Sequence, residues 1–217
     1  MHIFKNIIPR PIIILTIFSV ILIILRVIIW QKYSFVYILL NILLAFIPFF
    51  ISYFLLFYFR KEKESVNNIV IIIGGLLWLL FIPNSIYIIT DFVHLGVVRA
   101  VPIIYDAILL FSSALLGLIL GLMSISHIEQ IIRMKFSKRI TFIFIGIIIF
   151  LIGFGVYLGR FWRFNSWDIF SQPLTLFNSL GEIFRNSTNL VESLLYSTLF
   201  FIFIIIFYIL SKMVQIK

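Results

Sequence analysis

The chain has no cysteine and little charge: 8 acidic side chains, 17 Lys and Arg, and 12% charged residues in a length of 217. Without a thiol there is no disulfide framework, no thiolate nucleophile and no cysteine-based zinc site. A water-soluble domain carries about a quarter charged residues, so this chain has too few to cover such a surface. Proline and glycine are also sparse, at 6 and 10 residues, and no linker or low-complexity tail stands out.

What fills the chain instead is apolar: 63% hydrophobic residues and 18% aromatic, with 26 Phe. They come in blocks of about twenty, the helix length that crosses a ~30 Å hydrocarbon layer. Six spans are predicted: Pro11–Trp30, Phe35–Phe59, Asn68–Ile89, Ile103–Ser126, Ile140–Leu158 and Leu190–Leu210. The first is too long for a signal peptide and no small-residue cleavage pattern follows it, so it is expected to be retained. The expected fold class is all-α, an integral membrane bundle of about six transmembrane helices. It is expected to form a single domain over residues 1–217, as a multi-pass protein of the cell membrane.

A net charge of +9 would point to nucleic acid in a soluble protein. Here its distribution reads as topology. Eleven basic residues (Lys5, Arg10, Arg60, Lys61, Lys63, Arg133, Lys135, Lys138, Arg139, Lys212 and Lys217) fall on the side of both termini. Five (Lys32, Arg99, Arg160, Arg163 and Arg185) fall on the other, and Arg26 lies within the first span. The excess places the N- and C-termini in the cytoplasm, with membrane lipids as partners and no nucleic acid.

The outer connections, Thr90–Pro102 and Gly159–Asn189, interleave Arg with Asp, His, Asn, Trp and Tyr. All three Asp of the chain lie on that side. The inner loops, Arg60–Asn67 and His127–Arg139, are short and charged. Chemistry is therefore expected on the outer face.

Three constellations stand out there. In the first, Asn84, Tyr87, Asp91 and His94 recur on one helix face, and Pro83 kinks the third span or opens a new helix. Polar groups at membrane depth turn inward and find partners. Asn84, Tyr87 and Thr90 are equally well explained as structural, bonding the backbone freed by Pro83 or sitting in an interfacial belt. Asp91, three residues before His94, suits a proton-transfer pair, an oriented imidazole or a shared metal, and helix-end hydrogen bonding explains it about as well. The second is Tyr105–Asp106, where helix capping competes with a search for a cation, expected in Arg160 or Arg163. The third runs from Gly159 to Asp168. Its Arg160 and Arg163 among Phe161, Trp162 and Trp167 suit an anionic head, or an ordinary aromatic belt with snorkelling arginines. Asn165 with Asp168 also resembles a helix cap.

Other features read as packing. Gly117 with Gly121, and Gly155 with Gly159, are small residues four apart, which permit close helix approach. Asn41 and Pro48 mark a hydrogen bond and a kink, His127 opens an inner loop, and Asn189 with Glu192 reads as a capping box beside the Asn186-Ser-Thr triplet. There is no H-E-x-x-H, G-x-S-x-G or P-loop motif, so no reaction is named and no cofactor is indicated. With His94 as the outer histidine and no cysteine, a classical zinc site would need carboxylates for most of its ligands, and no metal ligand is assigned.

At these segments the chain resembles a known family. Phe81, Pro83, Asn84, Tyr87, Thr90, Asp91 and His94, then Tyr105 and Asp106, then Gly159 through Asp168, look like the pattern of the bacterial membrane proteins grouped as domain of unknown function 1361. The pattern shows no departure and the resemblance covers most of the chain. It implies a multi-pass inner-membrane protein and carries no reaction with it.

The leading functional expectation is an outward-facing polar site at the membrane surface, binding or processing a lipid-linked or amphiphilic anionic substrate. Asp91, His94, Asp106 and Asp168 are its catalytic candidates. Its binding candidates are Asn84, Tyr87, Thr90, Tyr105, Arg160, Arg163, Asn165 and Trp167. Asp91, His94, Asp106, Arg160 and Asp168 are expected together at one depth. The alternatives are a non-catalytic scaffold docking a protein partner on its outer face, and an ion, proton or small-solute transport component.

Overall fold

A computed structural model describes residues 8–62, 67–96 and 100–215. Lys5, Lys63, Arg99 and Lys217 of the charge pattern lie outside the described residues. The long helices are α1 (Arg10–Trp30), α2 (Tyr37–Glu62), α3 (Asn68–Phe81), α5 (Ile103–Lys135), α6 (Lys138–Phe161) and α9 (Ser187–Gln215). After α3 comes α4 (Pro83–Tyr87), continued by a 3-10 segment, Ile88–His94. Two short helices, α7 (Asp168–Ser171) and α8 (Pro173–Arg185), lie between α6 and α9. The described residues are all helix and connections, and six helical stretches are long and apolar enough to cross a membrane. Their lipid-sized length and the exposed Ile, Leu and Phe along them make this a multi-pass membrane protein.

Several boundaries differ from those expected. The fifth helix runs on to Lys135, so His127 sits inside it and not in a loop. Its ring lies against Phe49 and Tyr53, and its Nδ1 is 3.1 Å from Ser52 Oγ. The long connection Gly159–Asn189 is itself largely helical, holding α7 and α8. The last helix is opened by Asn186, whose Oδ1 accepts from the Thr188 amide at 2.9 Å, not by a box from Asn189 to Glu192.

Helix α5 runs through the middle of the bundle and packs on α1 and α2, while α6 pairs with α9 and α2 with α3. The third span breaks at Pro83, which has no amide hydrogen to continue the ladder. The carbonyls at the break are taken by side chains. Asn84 Nδ2 donates to Phe81 O at 3.0 Å, and Ser166 Oγ donates to Leu80 O at 2.7 Å.

Both glycine pairs converge on this break. A methyl at Gly117 would collide with the Ser85 carbonyl, and one at Gly121 would lie 3.2 Å from Ile86 Cδ1. On the opposite flank, Gly155 leaves room for the Pro83 ring, and Gly159 lies against the Tyr87 ring, which a Cβ there would meet at 3.3 Å. Helix α4 is thus pressed between α5 and α6 at backbone contact, which only side-chain-free positions allow.

A buried ion pair ties α1 to α5. Arg26 Nε donates to Asp106 Oδ1 at 2.8 Å and Nη2 to Oδ2 at 3.2 Å, in the two-pronged geometry that suits a guanidinium. Arg26 Nη1 also donates to Lys32 O and Ser34 Oγ, each at 3.0 Å, and the guanidinium lies over the Phe35 ring. Asp106 therefore takes Arg26 as its cation, where Arg160 or Arg163 was expected. Both partners are enclosed, with side-chain exposures of 1% and 2%.

Breaking such a pair from one side strands a charge in a low-dielectric interior, at about 3–5 kcal/mol. Arg26→Ala is therefore expected to lower stability by that amount in thermal unfolding of the detergent-solubilised protein. The double variant Arg26→Met with Asp106→Leu should regain most of it, because no charge is left unpaired.

Candidate functional site

Where α2, α4, the 3-10 segment and α6 meet, a cavity of about 280 Å³ opens between them. Among the binding and catalytic candidates, Asn84, Tyr87, Asp91, His94, Arg160 and Asn165 line it. The others do not. The Tyr105 hydroxyl donates to Leu22 O at 2.6 Å and Asp106 is held by Arg26. Thr90 Oγ1 donates to Tyr87 O at 2.7 Å, helping close the turn after α4. Arg163, in the left-handed backbone region (φ 57°), and Trp167 are exposed outside the cavity.

Asp168 is buried as a loop anchor at the start of α7. Its Oδ2 accepts from the Asn165 amide at 2.7 Å and its Oδ1 from Ser171 Oγ at 3.0 Å. These bonds shape the turn from α6 into α7, and that turn carries Ser166 and Ile169 to the cavity. The five groups expected at one site thus divide. Asp91, His94 and Arg160 share the cavity, Asp168 supports its rim, and Asp106 belongs to the α1–α5 pair.

Inside the cavity, Asp91 Oδ2 accepts from Asn41 Nδ2 at 3.0 Å, and Asp91 Oδ1 lies 3.8 Å from Arg160 Nη1. His94 Nε2 lies 3.5 and 3.4 Å from the two terminal nitrogens of Arg160. Arg160, not His94, is the charged neighbour of Asp91. The guanidinium sits between the two groups that the i, i+3 spacing suggested would pair. The Tyr37 ring stands edge-on to His94, with centroids 6.3 Å apart. Asn84 Nδ2 reaches across to Ser166 Oγ at 2.9 Å and joins the floor to the α6–α7 turn.

Tyr37 and Asn41 were not among the site candidates, although both line the cavity. They stand four apart at the start of α2, one helical turn, and Asn41 is a lone amide in an apolar run. That spacing is the signal that could have found them.

The two arginine–aspartate pairs at this end of the bundle differ in kind. Arg26 has contacts of 2.8–3.2 Å to a carboxylate, a carbonyl and a hydroxyl. Arg160 has, among the described residues, no hydrogen-bond partner nearer than 3.4 Å, and its side chain is 21% exposed. A guanidinium carries five donors in a rigid fork, so Arg160 keeps donors for something else in the cavity. The described residues hold no cluster of three or more His, Asp or Glu suited to a metal ion.

The Arg160–Asp91 pair is open at Arg160, 21% exposed, and enclosed at Asp91, 1% exposed, where the Asn41 amide remains when the arginine is removed. With a contact of 3.8 Å and the Asn41 bond retained, Arg160→Ala is expected to cost about 1–3 kcal/mol in the same thermal assay, less than Arg26→Ala. A loss as large as that of Arg26→Ala would make Arg160 a structural residue.

A family model described as "Protein of unknown function (DUF1361)" matches residues 40–211, which is more than half of the chain. No curated protein and no solved structure matches it. By that match, which takes in α4, the 3-10 segment, α6 and every residue named in the cavity except Tyr37, the chain belongs to the DUF1361 family of proteins of unknown function.

Proposed function

We propose that the cavity binds the anionic head of a lipid-linked or amphiphilic molecule at the outer surface of the cell membrane. The observation that carries this reading is the under-coordinated Arg160, facing a cavity at the end of a transmembrane helix. Arginine's fork matches phosphate and carboxylate oxygens two at a time, and such charge-assisted bonds are roughly twice as strong as neutral ones. The basic residues concentrated on the opposite side support an outward orientation for the cavity.

Asp91, held by Asn41, orients the guanidinium and offsets part of its charge. The His94 imidazole lies beside it, its Nε2 3.4 and 3.5 Å from the terminal nitrogens of Arg160. If the bound head is also transferred or hydrolysed, His94 is the group placed to move a proton. Arg163 and Asp106 have no part in this version of the site, since one is exposed elsewhere and the other is held by Arg26.

The test is retention of oleoyl lysophosphatidate by the full chain in detergent micelles, counted by native mass spectrometry, with lysophosphatidylcholine as the head-group control. Arg160→Ala is expected to weaken lysophosphatidate binding at least tenfold, equivalent to about 1.4 kcal/mol, and to leave the control unchanged. Equal retention of lysophosphatidate by Arg160→Ala and the unaltered protein would overturn the reading.

A further inference from the structure

The polar cavity has an apolar neighbour. A groove of about 490 Å³ runs between α3 and α6, bordered by Leu76, Leu77, Leu151 and Phe154 and capped by Phe170 of α7. Four residues, Leu80, Pro83, Gly155 and Ile169, line both spaces. The partition between them is thus a single layer of side chains. Its middle is the break in the third span, where Gly155 adds no side chain above the Pro83 ring.

Not every apolar hollow on the surface has this property. A second, near Phe142, Gly146 and Phe201 on the outside of α6 and α9, shares no residue with the polar cavity. It is the surface any lipid-facing helix pair presents. The α3–α6 groove instead leads to the polar site, across a threshold roofed by Ile169. Along α3 it extends from Ile73 to Leu80, about 10 Å of helix at 1.5 Å per residue.

We infer that this groove holds the hydrocarbon chain of the amphiphile whose anionic head lies against Arg160, so that the ligand enters sideways from the membrane between α3 and α6. The inference rests on the head-group reading above and adds where the chain lies and how the ligand arrives. On the sides of α2 and α5 the site is closed by helix packing on α4 and by the Ser85–Ala45 bond. The layer at Leu80, Pro83, Gly155 and Ile169, one side chain thick, is the thin apolar boundary that the ligand crosses. The amphipathic α8 continues the roof, placing Leu176 in the cavity wall while Leu174, Phe177 and Phe184 are exposed along an apolar stripe. Such a helix rests at the membrane interface and keeps the roof at the depth of lipid head groups.

The experiment is photo-crosslinking of the full chain with a lysophosphatidate carrying a diazirine midway along its acyl chain, with cross-linked peptides mapped by mass spectrometry. The expected labels fall on Ile73–Leu80 and Leu151–Phe154, and they are competed by unlabelled lysophosphatidate. They should drop at least tenfold in Arg160→Ala. Leu77→Trp, which fills the groove without touching the cavity, should lower them to a similar degree. Ile28→Trp, on the lipid-facing side of α1, should not change them.

Labels spread over all lipid-facing helices, while total retention still depends on Arg160, would overturn the groove and leave the head-group reading standing. Retention that ignores Arg160→Ala would overturn both. Unchanged labelling of Ile73–Leu80 in Leu77→Trp would also overturn the groove, whatever Arg160 does.

Discussion

The close approach of α4 to its two neighbours is the constraint on which the site depends. Five residues, Pro83–Tyr87, are held between Gly117 and Gly121 on one flank and Gly155 and Gly159 on the other. In lipid, helices gain nothing from hiding apolar surface, and association relies on packing and interhelical hydrogen bonds. The Ser85 hydroxyl adds such a bond, donating to Ala45 O at 3.1 Å on α2. Once α4 is held this way, the 3-10 segment that follows must carry Asp91 and His94 toward α6. Arg160, one residue beyond Gly159, then faces them.

Two arginine–aspartate pairs then divide the work at this end of the bundle. Arg26 and Asp106 are matched prong for prong and sealed from solvent, which makes them a structural tie between α1 and α5. Arg160 and Asp91 are 3.8 Å apart, with a cavity on one side and His94 on the other. A site for an anion needs donors that the fold has not used. The opposite end of the bundle is tied more tightly. There Glu129 is held by Arg133 and Lys212, and Ser124 Oγ accepts from Trp78 Nε1 and donates to Pro48 O at 2.9 Å, with Ser52 Oγ 3.0 Å away.

The spans were legible because a membrane helix is specified by a local property, a long apolar run, and six such runs form six helices. The glycine pairs were legible as packing positions for the same reason, though not which element they would grip. Pairings between distant residues were not legible, and Arg26 with Asp106, 80 residues apart, is the clearest case. A cue existed: Arg26 is the one charge inside an otherwise apolar first span, and such a charge requires an acid at the same depth. Helix α8 was hidden inside what looked like a loop. Pro173 at its first turn and the apolar positions Leu174, Phe177, Leu180 and Phe184 were a readable helical signal. The Asp91–His94 pairing suggested by sequence spacing is replaced by Arg160 between them, because the contact comes from another helix.

The most direct measurement of the central claim is site-resolved modification of arginine by phenylglyoxal in the folded, micelle-bound protein, read by mass spectrometry. If Arg160 has donors to spare at an open cavity, it reacts readily and is protected by lysophosphatidate, while Arg26 stays unmodified until the protein is unfolded. An Arg160 as unreactive as Arg26, or one that reacts but gains no protection from lysophosphatidate, would contradict the account.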